Sequence, residues 1–144
     1  MVDREYELIK GNSNYYILVG DEETWATSFL HNIWGFAEKS KGNWNTSTIG
    51  DYVAFYVISP IKRIIGYGRI TSKFVSEDII WPDEKVFEKS IWKYRIGFEK
   101  LCLLEDWKKG VRVPEHIMLN TGRKVISKET FSSLLEQLVQ CVET

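Results

Sequence analysis

The glycine-interrupted run at residues 63–70, RIIGYGRI, constrains the fold more than any other part of this chain. Its β-branched and aromatic residues favour a strand. Gly66 and Gly68 inside that strand indicate a bulge or a sharp bend, because glycine has no side chain to pack on the sheet. Bends of this kind let a sheet curve until it closes toward a barrel. We therefore expect a small, curved β-sheet of barrel type.

Three other segments predict further strands, and they are residues 15–19, 52–58 and 94–99. The first is apolar throughout, which is typical of a buried strand. The second is rich in aromatic and β-branched residues, and the third alternates between apolar and polar side chains as half-buried strands do. Residues 74–93 contain Pro82 and mix acidic with aromatic residues, which predicts a long loop over the sheet.

Two helices are predicted to flank the sheet. Asp21 is placed to cap a helix whose inward face carries Trp25 and Phe29, one turn apart. Ser127 is placed to cap a C-terminal helix of about four turns. The apolar positions of that helix are Phe131, Leu134, Leu135, Leu138 and Val142. Together these elements predict an α+β fold, a small curved β-barrel or mixed sheet flanked by helices.

Length and charge indicate one ordinary domain. The chain has 144 residues, 44% of them hydrophobic, and we assign residues 1–13 to a leader and 14–144 to the domain. Its 19 basic and 20 acidic residues argue against coating nucleic acid by bulk electrostatics, although a local basic rim is compatible with them. No apolar run is long enough to span a membrane and the charged start is not a signal peptide, so we expect a cytoplasmic protein without membrane contact.

The sequence contains no constellation of residues that predicts catalysis. His31 and His116 stand outside known metal-binding spacings, and Cys102 and Cys141 lack the CxxC spacing of zinc sites. No nucleophile elbow and no phosphate- or dinucleotide-binding glycine motif occurs. The acidic residues of the predicted loop, interpreted as a solvated surface, are Asp78, Asp83 and Glu84. We therefore expect a binding protein rather than an enzyme, with no metal and no cofactor.

Tryptophan is abundant, with six residues in the chain. Four of them lie in polar or loop-like surroundings, and these are Trp34, Trp44, Trp81 and Trp92. Flat aromatic faces suit the capture of a flat or cationic ligand, such as a nucleobase drawn out of its strand. Burial in the core is the alternative for each of them. We assign Trp25 to helix packing and Trp107 to a covering loop, whereas Trp44 stays open between lid, surface anchor and core.

The order of these features resembles the YTH and EVE domains of the PUA-like superfamily, over roughly residues 14–140. The matching features are the strand at 15–19, the helix from Asp21, the motif Ile33-Trp34-Gly35, the strands at 52–58 and 64–70, and the tryptophan loop. Residues 120–129 likewise resemble the YTH stretch that runs Asn, Lys-Pro-Val, then Arg-Asp. Lys124 stands there where proline is usual, and Lys128 where arginine is usual.

The resemblance implies a module that binds a modified base, N6-methyladenine in YTH proteins and modified cytosine or adenine in EVE proteins. It implies a cage formed by Trp34, Trp81 and Trp92. Thr24, with Glu23 beside it, stands where YTH proteins carry an Asn or Asp that contacts the base edge. Phosphate contacts are expected from basic residues near the pocket, and the candidates are Lys39, Lys41, Arg123, Lys124 and Lys128.

We therefore predict a module that binds a methylated base in nucleic acid without altering it, with N6-methyladenine as the first choice. The alternative is an EVE-type reader of modified cytosine, serving as the target-recognition part of a modification-dependent restriction system with further domains or subunits. A third hypothesis, from another class, is an enzyme acting on modified nucleotides or a small-molecule binder. The sequence leaves DNA and RNA open, because no motif marks groups that sense the 2′-hydroxyl.

Overall fold

The computed structural model describes residues 13–119 and 122–143. The predicted leader therefore lies outside the described residues, except for Ser13. The strands are β1 (Tyr15–Gly20), β2 (Ile33–Phe36), β3 (Tyr52–Val57), β4 (Arg63–Val75), β5 (Tyr94–Leu103) and β6 (Gly122–Ile126). The helices are α1 (Glu22–His31), α2 (Lys41–Thr46), α3 (Pro82–Phe87) and α4 (Lys128–Glu143), with short 3₁₀ turns at Glu38–Ser40 and Trp107–Lys109.

The six strands form one mixed sheet in the order β2-β5-β4-β3-β1-β6. β1 runs parallel to β3, and the other neighbouring pairs are antiparallel. The sheet curls, because Trp34 on β2 reaches Gly20 on β1 although the two strands are four places apart in the sheet. The predicted α+β fold with a curved, barrel-like sheet is thus confirmed as a six-stranded half-barrel flanked by helices.

The glycines of β4 lie where the sheet bends, as predicted. The register shifts between Tyr67 and Gly68 and again between Ile70 and Ser72. A Cβ atom at Gly66 would lie 2.3 Å from the carbonyl oxygen of Cys102 on β5. Only glycine permits so close an approach of two backbones, so this position fixes the local curvature.

The sheet buries both of its faces, and β1 shows this best because its residues alternate between two cores. Tyr16 and Leu18 join the cluster that includes the aromatic residues of α1, whereas Tyr15, Ile17 and Val19 join the cluster under α4. The residues of α4 in that second cluster with the least exposure are Phe131, Leu134 and Leu138. The C-terminal helix with one apolar face is therefore confirmed over its described side chains.

The helix ends follow the predicted capping chemistry. Asp21 Oδ1 accepts a hydrogen bond from the backbone N–H of Thr24 at 2.7 Å, and Asn32 ends α1 in the left-handed conformation with φ 57°. Ser127 Oγ accepts from the backbone N–H of Thr130 at 3.1 Å at the start of α4. Trp25 and Phe29 both lie in the core, as the spacing indicated.

The prediction of one long loop over residues 74–93 is wrong in two places. β4 continues to Val75, and residues 82–87 form α3. Pro82 stands at the first helical position, where its missing N–H has no intrahelical role, and Asp83 and Glu84 follow in the first turn. A proline followed by acidic residues is typical of the start of a helix as well as of a loop. The same residues therefore fit both structures, and the loop prediction chose the wrong one.

Replacement of Phe131 by alanine tests the packing of α4 on the sheet. Phe131 is 2% exposed and contacts the rings of Tyr15 and Tyr52, so we expect Phe131→Ala to lower the free energy of unfolding by about 3–5 kcal/mol. Val139→Ala is the matched control on the outer side of α4, with 41% exposure and an expected change within about 0.5 kcal/mol. Urea denaturation measures both, and equal effects of the two variants would contradict the described packing.

Candidate functional site

A cavity of about 250 Å³ opens where β1 ends and α1 begins. This volume lies near the lower end of the range for small-molecule pockets, about 300–1,000 Å³, and suits one planar ring system. The described residues around the cavity are Val19, Gly20, Asp21, Thr24, Trp34, Gly35, Phe36, Ala37, Lys39, Ser40, Ile58, Trp81, Asp83, Trp92 and Gly122. The three tryptophans of the predicted cage therefore share one cavity, and Thr24 lies there with them.

The ring of Trp34 is held in place by stacking on another tryptophan. It lies on β2, and its ring stacks on that of Trp25 with centroids 4.3 Å apart and an interplanar angle of 27°. Trp25 itself is fixed because its Nε1 donates to the carbonyl of Tyr56 at 2.8 Å. Trp25 covers one face of Trp34, and 5% of Trp34 is exposed, so a small part of the residue lines the cavity.

Trp81 immediately precedes α3 and is held by polar and charged neighbours. Its Nε1 donates to Ser28 Oγ on α1 at 2.9 Å, which ties α3 to α1. The guanidinium of Arg95 lies 5.0 Å from the centroid of the Trp81 ring, in cation–π geometry. Only 1% of Trp81 is exposed, so it presents a narrow part of its ring to the cavity.

Trp92 is the half-buried wall of the cavity. Its Nε1 donates to the carboxylate of Asp83, at 2.9 Å to Oδ2 and 3.1 Å to Oδ1. Asp83 also lines the cavity and lies in the first turn of α3. The orientation of the Trp92 ring is therefore set by a charge-assisted hydrogen bond from α3.

Glu84 is fully buried behind these two walls, which corrects its interpretation as part of a solvated acidic surface. Its Oε1 accepts from the backbone N–H groups of Ile80 and Trp81, and its Oε2 accepts from those of Ile91 and Trp92. Burial alone raises the pKa of Glu84, yet these four backbone donors outweigh it and lower the pKa below its ordinary value. The ionised form is thus the one that the fold stabilises.

Arg95 compensates the charge of Glu84. It is 1% exposed, and its Nη2 lies 3.5 Å from Glu84 Oε2. Its Nε donates to the carbonyl of Trp92 at 2.9 Å, and its Nη2 also donates to the carbonyl of Asp78. Burial lowers the pKa of Arg95, and the carboxylate of Glu84 opposes that shift. A buried pair with this many hydrogen bonds is satisfied, and the loss of either partner leaves an unpaired charge.

Gly35 allows the walls to approach β2. A Cβ atom at this position would lie 2.5 Å from Trp92 Cβ and 3.0 Å from Trp81 Cη2. These distances are shorter than ordinary van der Waals contacts, so any side chain here displaces the two tryptophans. The small size of residue 35 is therefore a condition for this placement of the two tryptophans.

Polar groups lie around the rim. Thr24 lines the cavity, whereas Glu23 beside it is exposed and is not one of the described residues lining it. Asp21 and Asp83 contribute carboxylates. Lys39 is exposed and is the basic residue among the described lining residues. The rim thus combines the hydroxyls of Thr24 and Ser40 with two carboxylates and one ammonium group.

The basic residues near the C-terminus that are predicted to contact phosphate differ in their distance from the cavity. Gly122, at the start of β6, lines it, and Arg123 follows directly. The guanidinium of Arg123 lies 4.2 Å from the ring centroid of Tyr16, and its Nη1 donates to Ser47 Oγ and to the carbonyl of Asn43, both at 2.9 Å. Arg123 therefore joins β6 to the segment around α2.

Lys124 and Lys128 lie progressively farther along the chain. Lys124 pairs with Ile17 in the middle of β1, and Lys128 begins α4 beyond the other end of β6. Since a strand rises about 3.3 Å per residue, the end of β6 lies roughly 13 Å from Gly122. The structure does not bring Lys128 to the cavity rim.

The remaining tryptophans pack outside the cavity. Trp44 is half-buried on α2, its Nε1 donates to the carbonyl of Arg95 at 2.9 Å, and Lys73 Nζ lies 4.6 Å from its ring centroid. Trp107 packs edge-to-face against Phe29. Within residues 13–119 and 122–143, no group of three metal-ligating side chains is assembled, and no helix is long and apolar enough to cross a membrane.

The sequence analysis missed the supporting roles of three residues, namely Ser28, Glu84 and Arg95. Ser28 and Trp81 are 53 residues apart, so no local pattern indicates their contact. One local signal did indicate a role for Glu84. It is the third residue of the helix that Trp81 precedes, and an acidic residue at this position forms the carboxylate half of a capping box. The alternation of residues 94–99 placed Arg95 on the polar side of a half-buried strand, whereas residues 95–98 are all buried, so no local signal indicated its position.

No protein-family model and no curated protein matches this sequence. Solved structures of YTH domains do match its fold. The YTH domain-containing protein mmi1, in a complex with RNA, gives a TM-score of 0.63 at 17% identity and covers 90% of this chain and 83% of its own. The YTH domain of Zygosaccharomyces rouxii MRB1, in complex with N6-methyladenosine RNA, gives 0.60 at 14% identity, with 89% and 88% covered. The Pho92 YTH domain, in complex with m6A, gives 0.62 at 11%, with 88% and 84% covered.

At these identities the likeness establishes the fold. The chain has the fold of YTH domains, so the YTH part of the resemblance predicted from the sequence is confirmed at the level of the fold.

Replacement of Gly35 by alanine tests the close approach of the walls. The added methyl group must displace the backbone around Trp92, so we expect a loss of about 1–3 kcal/mol in the free energy of unfolding and a changed tryptophan emission spectrum. Gly42→Ala is the matched control, because nothing lies within 4 Å of a Cβ atom there. That change within α2 is expected to be neutral or to stabilise by up to about 1 kcal/mol. Unchanged stability and emission in Gly35→Ala would show that the walls do not contact β2.

Proposed function

We propose that this domain binds a nucleic-acid strand by accepting one N6-methylated adenine base into the cavity between Trp34, Trp81 and Trp92. The observation that carries the proposal is the convergence of three indole rings from distant segments on one base-sized cavity. The fold adds support, because solved domains with the same fold include complexes with N6-methyladenosine RNA and with m6A. The domain binds the base and does not alter it.

The chemistry of the cavity favours a methylated, uncharged base. The methyl group adds apolar surface, and burying it contributes about 0.8 kcal/mol by transfer from water. Stacking of the base on aromatic rings contributes roughly 1–3 kcal/mol more. A plain adenine gains only the second contribution, so the preference for the methylated base comes from the fit of the methyl group against indole surface.

Access to the cavity depends on Trp92. Trp34 and Trp81 are 5% and 1% exposed, which is less ring surface than a stacked base covers. Trp92 is the half-buried wall, and its indole is fixed by one side-chain partner, Asp83. A base that stacks between the rings therefore displaces Trp92 outward and is then covered by it.

The polar groups at the rim can identify the base and position the nucleic-acid strand. The Thr24 hydroxyl can both donate and accept, so it can contact the edge of adenine or that of cytosine. For this reason modified cytosine is the second candidate ligand, as in an EVE-type reader. Lys39 at the rim is best placed for a backbone phosphate, and Arg123 and Lys124 lie farther along β6. Glu23 remains a predicted contact to the base edge.

A binding panel tests the proposal directly. Short DNA and RNA oligonucleotides of one sequence, with the central base plain, N6-methylated adenine or 5-methylated cytosine, are titrated against the domain by fluorescence anisotropy. We expect the N6-methylated strand to bind tightest, by about fourfold over the plain strand, because about 0.8 kcal/mol of methyl burial corresponds to that factor. Equal affinity for all strands, or binding of a free nucleoside without any effect of the strand, would overturn the proposal.

The cage variants locate the preference. We expect Trp92→Ala to bring the affinity for the methylated strand down to that for the plain strand, because phosphate contacts are untouched, and Trp92→Leu to retain part of the preference. Trp34→Ala and Trp81→Ala are expected to remove it as well, with melting midpoints recorded because both residues are buried. Trp107→Ala is the matched control, a half-buried tryptophan that the cavity does not include. A full preference in folded Trp92→Ala would exclude Trp92 from the cage.

The salt dependence of binding tests the basic rim. With few basic residues near the cavity, we expect log K to fall with log[salt] at a slope of about −2 to −4. Lys39→Ala is expected to reduce the magnitude of that slope by about 0.7–0.9 and to weaken plain and methylated strands alike. Lys128→Ala, beyond the far end of β6, serves as the control with an unchanged slope. If the two lysine variants behave identically, Lys39 makes no phosphate contact.

A further inference from the structure

We infer that Glu84 is a positioning residue that sets the separation of Trp81 and Trp92 and thereby controls the preference for the methylated base from outside the cavity. This inference rests on the proposed function, because it concerns the selectivity of the same site. Glu84 does not line the cavity. It acts through the backbone of the two residues that do.

The hydrogen bonds of Glu84 join two segments of chain. On one side, Oε1 accepts from the N–H groups of Ile80 and Trp81 at 2.9 and 3.2 Å. On the other side, Oε2 accepts from the N–H groups of Ile91 and Trp92 at 2.8 and 3.1 Å. One carboxylate thus fixes the backbone of both walls, although they are eleven residues apart in sequence.

Only a carboxylate on a side chain as long as that of glutamate can accept hydrogen bonds from all four backbone N–H groups. All four backbone groups are donors, and an ionised carboxylate offers acceptors on both oxygens. An amide at the same place keeps one acceptor oxygen and turns N–H donors toward two of the backbone donors. A shorter aspartate keeps the charge opposite Arg95 but reaches one pair of donors at a time. Both changes release one wall while the core residues of the fold stay in place.

The separation of Trp81 and Trp92 affects the preference for the methylated base more than it affects the affinity for the strand as a whole. A methyl group gains from a cage only where indole surface meets it at van der Waals distance, and binding sites tolerate errors of about 0.5 Å. Contacts to phosphate depend on the rim and do not involve Glu84. Release of one wall weakens stacking for both strands and removes the methyl contribution from the methylated strand alone, so the ratio of the two affinities falls.

The test compares Glu84→Gln and Glu84→Asp with the parent domain, and uses Glu105→Gln, an exposed residue after β5, as control. The first measurement is the ratio of the Kd values for plain and N6-methylated strands of one sequence. We expect this ratio to fall from about fourfold in the parent to about one in both Glu84 variants. A residue with a merely structural role would lower the melting midpoint and leave the ratio of the folded protein unchanged.

The second measurement needs no ligand. In ¹⁵N-labelled protein, the indole N–H signals of Trp81 and Trp92 report the positions of the two walls, with the signal of Trp107 as an internal reference. We expect the first two to shift in both Glu84 variants and all three to stay unchanged in Glu105→Gln. Glu84→Asp retains the ion pair with Arg95, so it keeps a folded variant in the comparison if Glu84→Gln unfolds.

The outcomes separate the inference from the proposed function. If the parent prefers methylated strands and the folded Glu84 variants keep both that preference and the parent indole signals, the inference is overturned. If the parent shows no preference at all, the proposed function fails. In that case unshifted indole signals in the Glu84 variants also overturn the positioning of the walls by Glu84, and shifted signals support it.

Discussion

The parallel pairing of β1 with β3 is the constraint on which the rest of the structure depends. Parallel neighbours need a crossover, and here the crossover contains α1, β2 and α2. It carries β2 to the far edge of the sheet, and the curl of the sheet brings β2 back against the end of β1. The cavity forms at this meeting point, between the carboxyl ends of two parallel strands and the residues of β2. Its place therefore follows from topology before any side chain is considered.

Each wall of the cavity is held by a different interaction, and the supports of Trp34 and Trp81 lie outside the cavity. Dispersion and stacking from Trp25 hold Trp34, a hydrogen bond and a guanidinium hold Trp81, and a carboxylate holds Trp92. The supports are provided by α1, β5 and α3. Two of the walls, Trp34 and Trp81, are thus held in place before a ligand arrives, which reduces the ordering entropy lost on binding.

The sequence predicted those elements whose signals are local. The strand at 15–19, the cap at Asp21, the inward Trp25 and the helix after Ser127 follow from capping and periodicity over a few residues. α2 and α3 are six residues each, too short for a periodic pattern to distinguish from a loop. The extension of β4 to Val75 depends on pairing with β5, and the burial of Glu84 depends on donors from two segments. Contacts between distant segments decide these features, and no local pattern contains them.

Residue 35 offers a marker for comparing chains that share this fold. The two walls lie this close to β2 because glycine leaves room where a Cβ atom would meet two tryptophans. A chain with a larger residue at the structurally equivalent place can keep the same sheet and helices while its walls stand farther from the strand. The identity of that one residue therefore indicates, within a set of superimposed structures, which chains can hold two tryptophans this close to the strand.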